Sequence, residues 1–287
     1  MKKIKLFAIK QLKRFKSFML NVFEIINRPE MAILPGQLAF FSFLSFVPII
    51  TFVSAVANIL GLSMDSLATI VQKVFPSMEF NITTASLDPN SMSISLVIIF
   101  IIMFYIASNG ANSIILTSNE IYGIKQSNFF KRRFKAILMT LLFVILYMFI
   151  LLVPLLGTKI LNAVDYFELE QYIMPLLPFV KGPLTWVIIF IFIKVIYGIA
   201  PDRLMPNAKV YTGAIFTTIG WIIFTNIYSV YINYNKNYSI YYGGLSSIAI
   251  LMLWVYMLSF IFVIGMSLNY RAEKEKLEKT GTINIDN

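Results

Sequence analysis

The side chains that could do chemistry in this sequence are few, and most lie inside long uncharged runs. Histidine and cysteine are both absent. That removes Ser-His and Cys-His nucleophilic catalysis, imidazole and thiolate metal sites, disulfides and the usual switch near neutral pH. Fourteen acids, the lysines and arginines, and hydroxyls and amides remain. The acids on the basic side of the chain (Glu24, Glu30, Glu120, Asp202, Glu273, Glu275, Glu278 and Asp286) are scattered among lysines without ligand spacing. No catalytic residue, metal site or cofactor is expected. No G-x-x-x-x-G-K-[ST] motif occurs, so no nucleotide would drive transport directly.

What the spacing does offer is a set of polar stripes. At 100° per residue, Gln37, Ser45, Pro48, Thr51 and Asn58 fall within an arc of about 140° on one helix. Pro48 frees a backbone carbonyl in mid-helix. Asn109 and Asn112 continue the theme with Ser108, Ser113, Asn119 and Glu120, three or four residues apart. Thr225 and Asn226 join Gly213, Thr217 and Gly220 on a later segment, and Tyr242 and Ser246 open the last one. For any single Ser or Thr, hydrogen-bonded packing between helices is the simpler account. The quantity of polar residues points to a groove or cavity instead. Gln37, Ser45, Pro48, Thr51, Asn58, Asn109, Asn112, Glu120, Lys194, Thr225, Tyr242 and Ser246 are the candidates for lining a substrate path.

The elements that carry these stripes are legible from composition. The chain has 287 residues, 58% hydrophobic and 13% charged, about half the charge of a soluble domain. Six uncharged or nearly uncharged runs are each long enough for the about 20 residues that cross a hydrocarbon core. The expected architecture is all-α: a polytopic membrane helix bundle with six transmembrane helices at about 37–60, 92–117, 136–157, 182–200, 210–233 and 245–268. Residues 31–270 form this domain, and 271–287 form a charged cytoplasmic tail. Residues 1–30 form a basic amphipathic helix at the interface, with Ile4, Ala8, Leu12, Phe15, Met19, Val22 and Ile26 at helical spacing. No cleavable signal peptide is expected.

Lysine and arginine set the orientation. Nineteen fall in the N-terminal segment, the tail and the loops after spans two and four, against four in the opposite loops. Both termini are therefore expected on the cytoplasmic side. The net charge of +10 flanks apolar blocks, where anionic headgroups account for it, so membrane lipids are the expected partners and nucleic acid is not. Lys194 is the one charge inside an expected span. It either snorkels to the cytoplasmic face or meets an anion.

Several stretches carry a resemblance. Leu38-Ala39-Phe40-Phe41-Ser42 through Leu44-Ser45-Phe46-Val47-Pro48 resembles the first span of the BrkB/YihY membrane protein family. Asn119-Glu120-Ile121-Tyr122-Gly123, followed by Lys131-Arg132-Arg133, is similar to its second-span exit. Tyr197 to Pro201, Met205-Pro206-Asn207 and Gly213 resemble its Y-x-x-x-P…P-N…G pattern. Tyr241 to Ser247, Leu253 to Tyr256 and Gly265 to Asn269 resemble its most recognisable part. The resemblance implies a six-span protein of a bacterial inner or plasma membrane. The labels attached to members, ribonuclease BN and serum-resistance or virulence factor, supply no mechanism. Members often carry an acid where Ser267 stands here. The expected function is translocation of a lipid or other amphiphile through a polar groove. An ion or small-solute carrier and a non-transport envelope-assembly scaffold are the alternatives. RNA hydrolysis lacks the residues it needs.

Overall fold

The computed structural model describes residues 16–59, 94–146, 177–203, 205, 210–234 and 245–279. Among them every regular element is a helix: α1 (16–26), α2 (Glu30–Ile59), α3 (Ile94–Ile121), α4 (129–146), α5 (Leu177–Ile199), α6 (Tyr211–Tyr234) and α7 (Leu245–Lys279). Among the described residues, four stretches are long and apolar enough to cross a bilayer: Ile101–Ile121, Gly182–Ile199, Tyr211–Ile232 and Ile248–Glu275. A shorter apolar stretch, Glu30–Phe46, belongs to α2.

The helices run past the hydrophobic runs that announced them. α2 begins at Glu30, before the stripe at Gln37, and α7 continues to Lys279. At 1.5 Å per residue, α7 is about 52 Å long against a hydrocarbon core of about 30 Å. The surplus forms a stub at one end of the bundle, where Glu30, Ile121, the start of α4, the end of α5, the start of α6 and Arg271 gather. The described loop arginines and lysines lie there too, so we call it the basic end.

α1 docks on this end. Ile25 is fully buried, and Phe18 and Val22 pack against the core. Phe18 meets Phe216 of α6 edge-on, and Glu24 accepts from Arg271 of α7 at 2.7 Å. Met19, Leu20, Phe23 and Ile26 remain exposed. The helix thus has one apolar face for the bundle and another left outward, which suits an element lying at an interface.

Inside the bundle, packing depends on small residues that bring backbones close, as expected where lipid gives no hydrophobic drive between helices. α2 and α3 meet at Ser45, whose hydroxyl donates to Phe41 O at 2.7 Å and accepts from Gly110 N at 2.8 Å. Ser45→Ala removes that bridge without leaving a bulky gap. A loss of about 0.6–1.7 kcal/mol is expected in a detergent unfolding titration, and no loss would show that the bridge is incidental.

α5, α6 and α7 meet around Tyr197, which is fully buried. Its hydroxyl donates to Phe262 O at 2.7 Å and shares a 2.6 Å bond with Thr217. Gly213 and Gly265 lie back to back beside it, and Asn269 Oδ1 accepts from Gly213 N at 2.7 Å. Trp221 donates to Leu258 O at 2.9 Å one turn further along.

Candidate functional site

The basic end is assembled by a turn that the sequence dictates. Gly123 closes α3 with φ of +61°, the left-handed conformation that favours glycine. Ile124 N then donates to Asn119 O and Gly123 N to Glu120 O, the paired bonds of a Schellman motif. The chain folds back, and α4 rises beside α3 with its basic run facing α3 and α5.

Asp202, just after Pro201 at the end of α5, is the hub of this end. Its Oδ2 accepts from Asn119 Nδ2 at 2.8 Å and from Ser127 N at 3.1 Å. Its Oδ1 takes Lys135 Nζ at 3.0 Å, and its own N–H donates to Asn119 Oδ1 at 2.8 Å. Lys135 also donates to the carbonyls of Ala200 and Pro201. Burial alone would push the Asp202 carboxyl up. The Ser127, Lys135 and Asn119 donors and the Lys135 charge outweigh it and hold the group at about 2. For Lys135, burial pulls the ammonium down by more than the Asp202 bond and charge restore. Nearby, Arg203 donates to the buried Glu273 at 2.9 Å.

The arginines of α4 take the amides of α3. Arg132 Nε donates to Asn112 Oδ1 at 3.2 Å, and Arg133 Nη1 donates to Asn109 Oδ1 at 2.8 Å. A second bond joins Arg133 to Tyr105 O, and its guanidinium lies 3.5 Å from the centre of the Tyr105 ring.

A cavity of about 330 Å³ opens at the same end between α2 and α3. Glu30, Gln37, Glu120 and Gln126 line it together with Ile33, Leu34 and Leu116. Gln126 is held by Asn119 Nδ2, which donates to its Oε1 at 3.0 Å.

The structure brings together only some of the sequence candidates. Gln37 and Glu120 share the cavity. Ser45 is buried at the α2–α3 contact, and Asn109 and Asn112 are engaged by arginine rather than open to a groove. Pro48 lies within α2, half-buried. Lys194 Nζ sits 4.3 Å from the centre of the Tyr211 ring, which supplies a cation–π partner in place of an anion. Glu120 pairs with no cation among the described residues. Thr225 is half-buried on α6, apart from the basic end. The side chains of Thr51, Asn58 and Ser246, and all of Tyr242, lie outside the described residues. Helical spacing does not bring Asp202 and Lys135 forward as site residues. The signal that does is one acid, directly after a helix-ending proline, in a loop otherwise basic.

Long apolar helices carrying buried polar contacts, capped by a charged stub, define an all-helical membrane protein. The chain belongs to the family described as Virulence factor BrkB, which it matches over residues 22–284. It is similar to the "Putative ribonuclease-like protein YfkH" of Bacillus subtilis, 27% identical over 266 residues, which are 91% of this chain and 96% of that protein. It is also similar to a UPF0761 membrane protein of Idiomarina loihiensis, 26% identical over 123 residues, 43% of each chain. A third relative, a UPF0761 membrane protein of Pseudoalteromonas translucida, is 24% identical over 91 residues, 32% of this chain and 30% of that one. No solved structure matches the chain.

Proposed function

We propose that this protein translocates a lipid or other amphiphilic substrate, which it engages at the basic end between α2 and α3. The observation that carries this reading is the cavity with two chemistries, amides and carboxylates interleaved with Ile33, Leu34 and Leu116 along its lining. Ile33 is 68% exposed, so the lining has an apolar edge at the outer surface, where an acyl chain would pass. Gln37 and Glu120 would meet the polar headgroup. In this reading six helices span a bacterial plasma membrane, and the excess of lysine and arginine argues for a cytoplasmic basic end.

A second reading is a scaffold for envelope assembly, without transport. It is favoured by Ser45, Asn109 and Asn112, whose polar groups are used to join helices. A nuclease is not part of the proposal, although one relative's name mentions ribonuclease. Hydrolysis would need clustered acids or histidine, and no group of three or more potential metal ligands occurs among the described residues.

The experiment is leaflet exchange in liposomes carrying trace fluorescent phospholipids and an impermeant quencher outside. Wild-type protein is expected to carry quenching well past the outer-leaflet share. A Gln37→Ala, Glu120→Gln double variant that still inserts is expected to slow exchange by about fivefold or more, the loss of roughly 1 kcal/mol of headgroup contact. Quenching that stops at the outer leaflet sets translocation aside. Solute flux driven by a sodium or proton gradient, without lipid exchange, would favour the ion or small-solute carrier.

A further inference from the structure

Arg132 and Arg133 carry charge that no described carboxylate contacts. Asp202 is taken by Lys135, Glu273 by Arg203, and Glu24 and Glu275 by Arg271. Among the described residues no carboxylate lies within 4.0 Å of either guanidinium. Their partners are neutral oxygens: Asn112 and Ser127 O for Arg132, Asn109 and Tyr105 O for Arg133. Arg133 is only 9% exposed, and its Nε–H is enclosed with no acceptor among the described residues. Two adjacent cations in a setting drier than water raise each other's cost, and an anion beside them relieves both.

Their depth selects the kind of anion. On α4 both arginines fall within the first five residues, ahead of the uncharged run that begins at Ala136, which puts them near the level where acyl chains give way to headgroup phosphates. The surfaces beside them suit acyl chains. Ile102, Tyr105 and Ile106 are exposed on α3, as are Phe130 and Phe134 on α4.

We propose that Arg132 and Arg133 form a phosphate-binding site between α3 and α4 that holds the headgroup phosphate of a membrane lipid. Arg132 makes the contact. Its Nε and one Nη are engaged, its other Nη has no partner among the described residues, and the side chain is half-exposed. Arg133, the next residue on α4, is enclosed and adds a second positive charge. A planar guanidinium edge matches phosphate oxygens better than an ammonium does. Neither arginine nor any of their hydrogen-bond partners lines the cavity with Gln37 and Glu120, and the existence of the site does not depend on translocation.

Delipidated protein in neutral detergent is titrated with phosphatidylglycerol, with diacylglycerol of the same chains, or with inorganic phosphate, and bound adducts are counted by native mass spectrometry. Wild type is expected to hold phosphatidylglycerol about tenfold more tightly than diacylglycerol, and Arg132→Gln to remove most of that preference. Lys131→Gln, one residue away on the exposed surface, should change it less than about twofold. Equal retention of the two lipids by wild type overturns the proposal without any variant. Equal losses in the Lys131 and Arg132 variants overturn it too, because they reduce the effect to general basicity. Competition by millimolar inorganic phosphate at the same site assigns the guanidiniums to a free anion and overturns the lipid source.

Discussion

Gly265→Ala is expected to prevent stable association of α6 with α7, and Gly213→Ala to do the same from the other side. A Cβ on Gly265 would collide with Thr217 Oγ1 and Tyr197 Oη and press on the carbonyl of Gly213. A Cβ on Gly213 would collide with the carbonyl of Gly265 and with Asn269. These neighbours cannot yield cheaply. Two are backbone carbonyls, and Tyr197 is fixed by bonds to Thr217 and Phe262 O. Overpacking against such groups costs about 3 kcal/mol or more. Part of the loss would come from Tyr197, whose buried hydroxyl would lose its partners as the helices separate. The check is the yield of monodisperse protein and its thermal midpoint in detergent. Gly36 and Gly198 provide the control, because a Cβ at either meets nothing within 4 Å. Replacing those with alanine should leave stability unchanged or raise it by about 0.5–1 kcal/mol. If all four substitutions behaved alike, the collision argument would fail.

Asp202→Ala should be the most damaging change to a charged group. It strips acceptors from Asn119, the Ser127 N–H and Lys135 together, so the α3–α4 turn and the end of α5 lose their common tie. The expected cost is about 2–4 kcal/mol, since donors are left buried without partners. Asp202→Asn keeps the shape and loses the charge, and should cost about half as much. The two variants also differ with pH. The folded carboxyl sits at about 2, below its ordinary 3.8, so its ionisation favours the folded state above about pH 4. That contribution disappears as pH falls through about 2. Its size is at most about 2.4 kcal/mol before solvent screening reduces it. Wild type should therefore lose its advantage over Asp202→Asn between about pH 4 and pH 2. A gap that stays constant across that window would mean the charge contributes nothing.

Much of the architecture is legible in the sequence because the bilayer is a harsh filter. An uncharged run as long as Pro89 to Asn119 would be a liability in water, and α3 occupies most of it. The helix ends are less legible for the same reason. A charge ends the apolar run but not the helix, so α2 starts at Glu30 and α7 reaches Lys279 beyond the stripe boundaries. The close contacts at Gly213 and Thr217 can be read from residue size alone. The fate of the polar stripe cannot. Asn109 and Asn112 lie where helical spacing puts them, but what they bind depends on the turn at Gly123 bringing Arg132 and Arg133 alongside. Local periodicity is blind to a partner some twenty residues away on another helix. Asp202 is hidden differently. By spacing it is one acid among lysines, and only the convergence of α3, α4 and α5 makes it a hub.

That hub also imposes a schedule on biosynthesis. Lys135 leaves the ribosome 67 residues before the carboxylate it will bind. At ordinary elongation rates of about 5–20 residues per second, the interval is about 3–13 s. During it, in the six-span topology proposed above, Lys135 and its basic neighbours are unmatched cations at the moment the hairpin commits to a side of the membrane, when positive charge counts most. In that topology the same lysine would act first as a signal for which way the chain lies and later as a bolt that fixes the finished arrangement. Moving the acid ahead of the lysine in the chain would preserve the bolt and mute the signal.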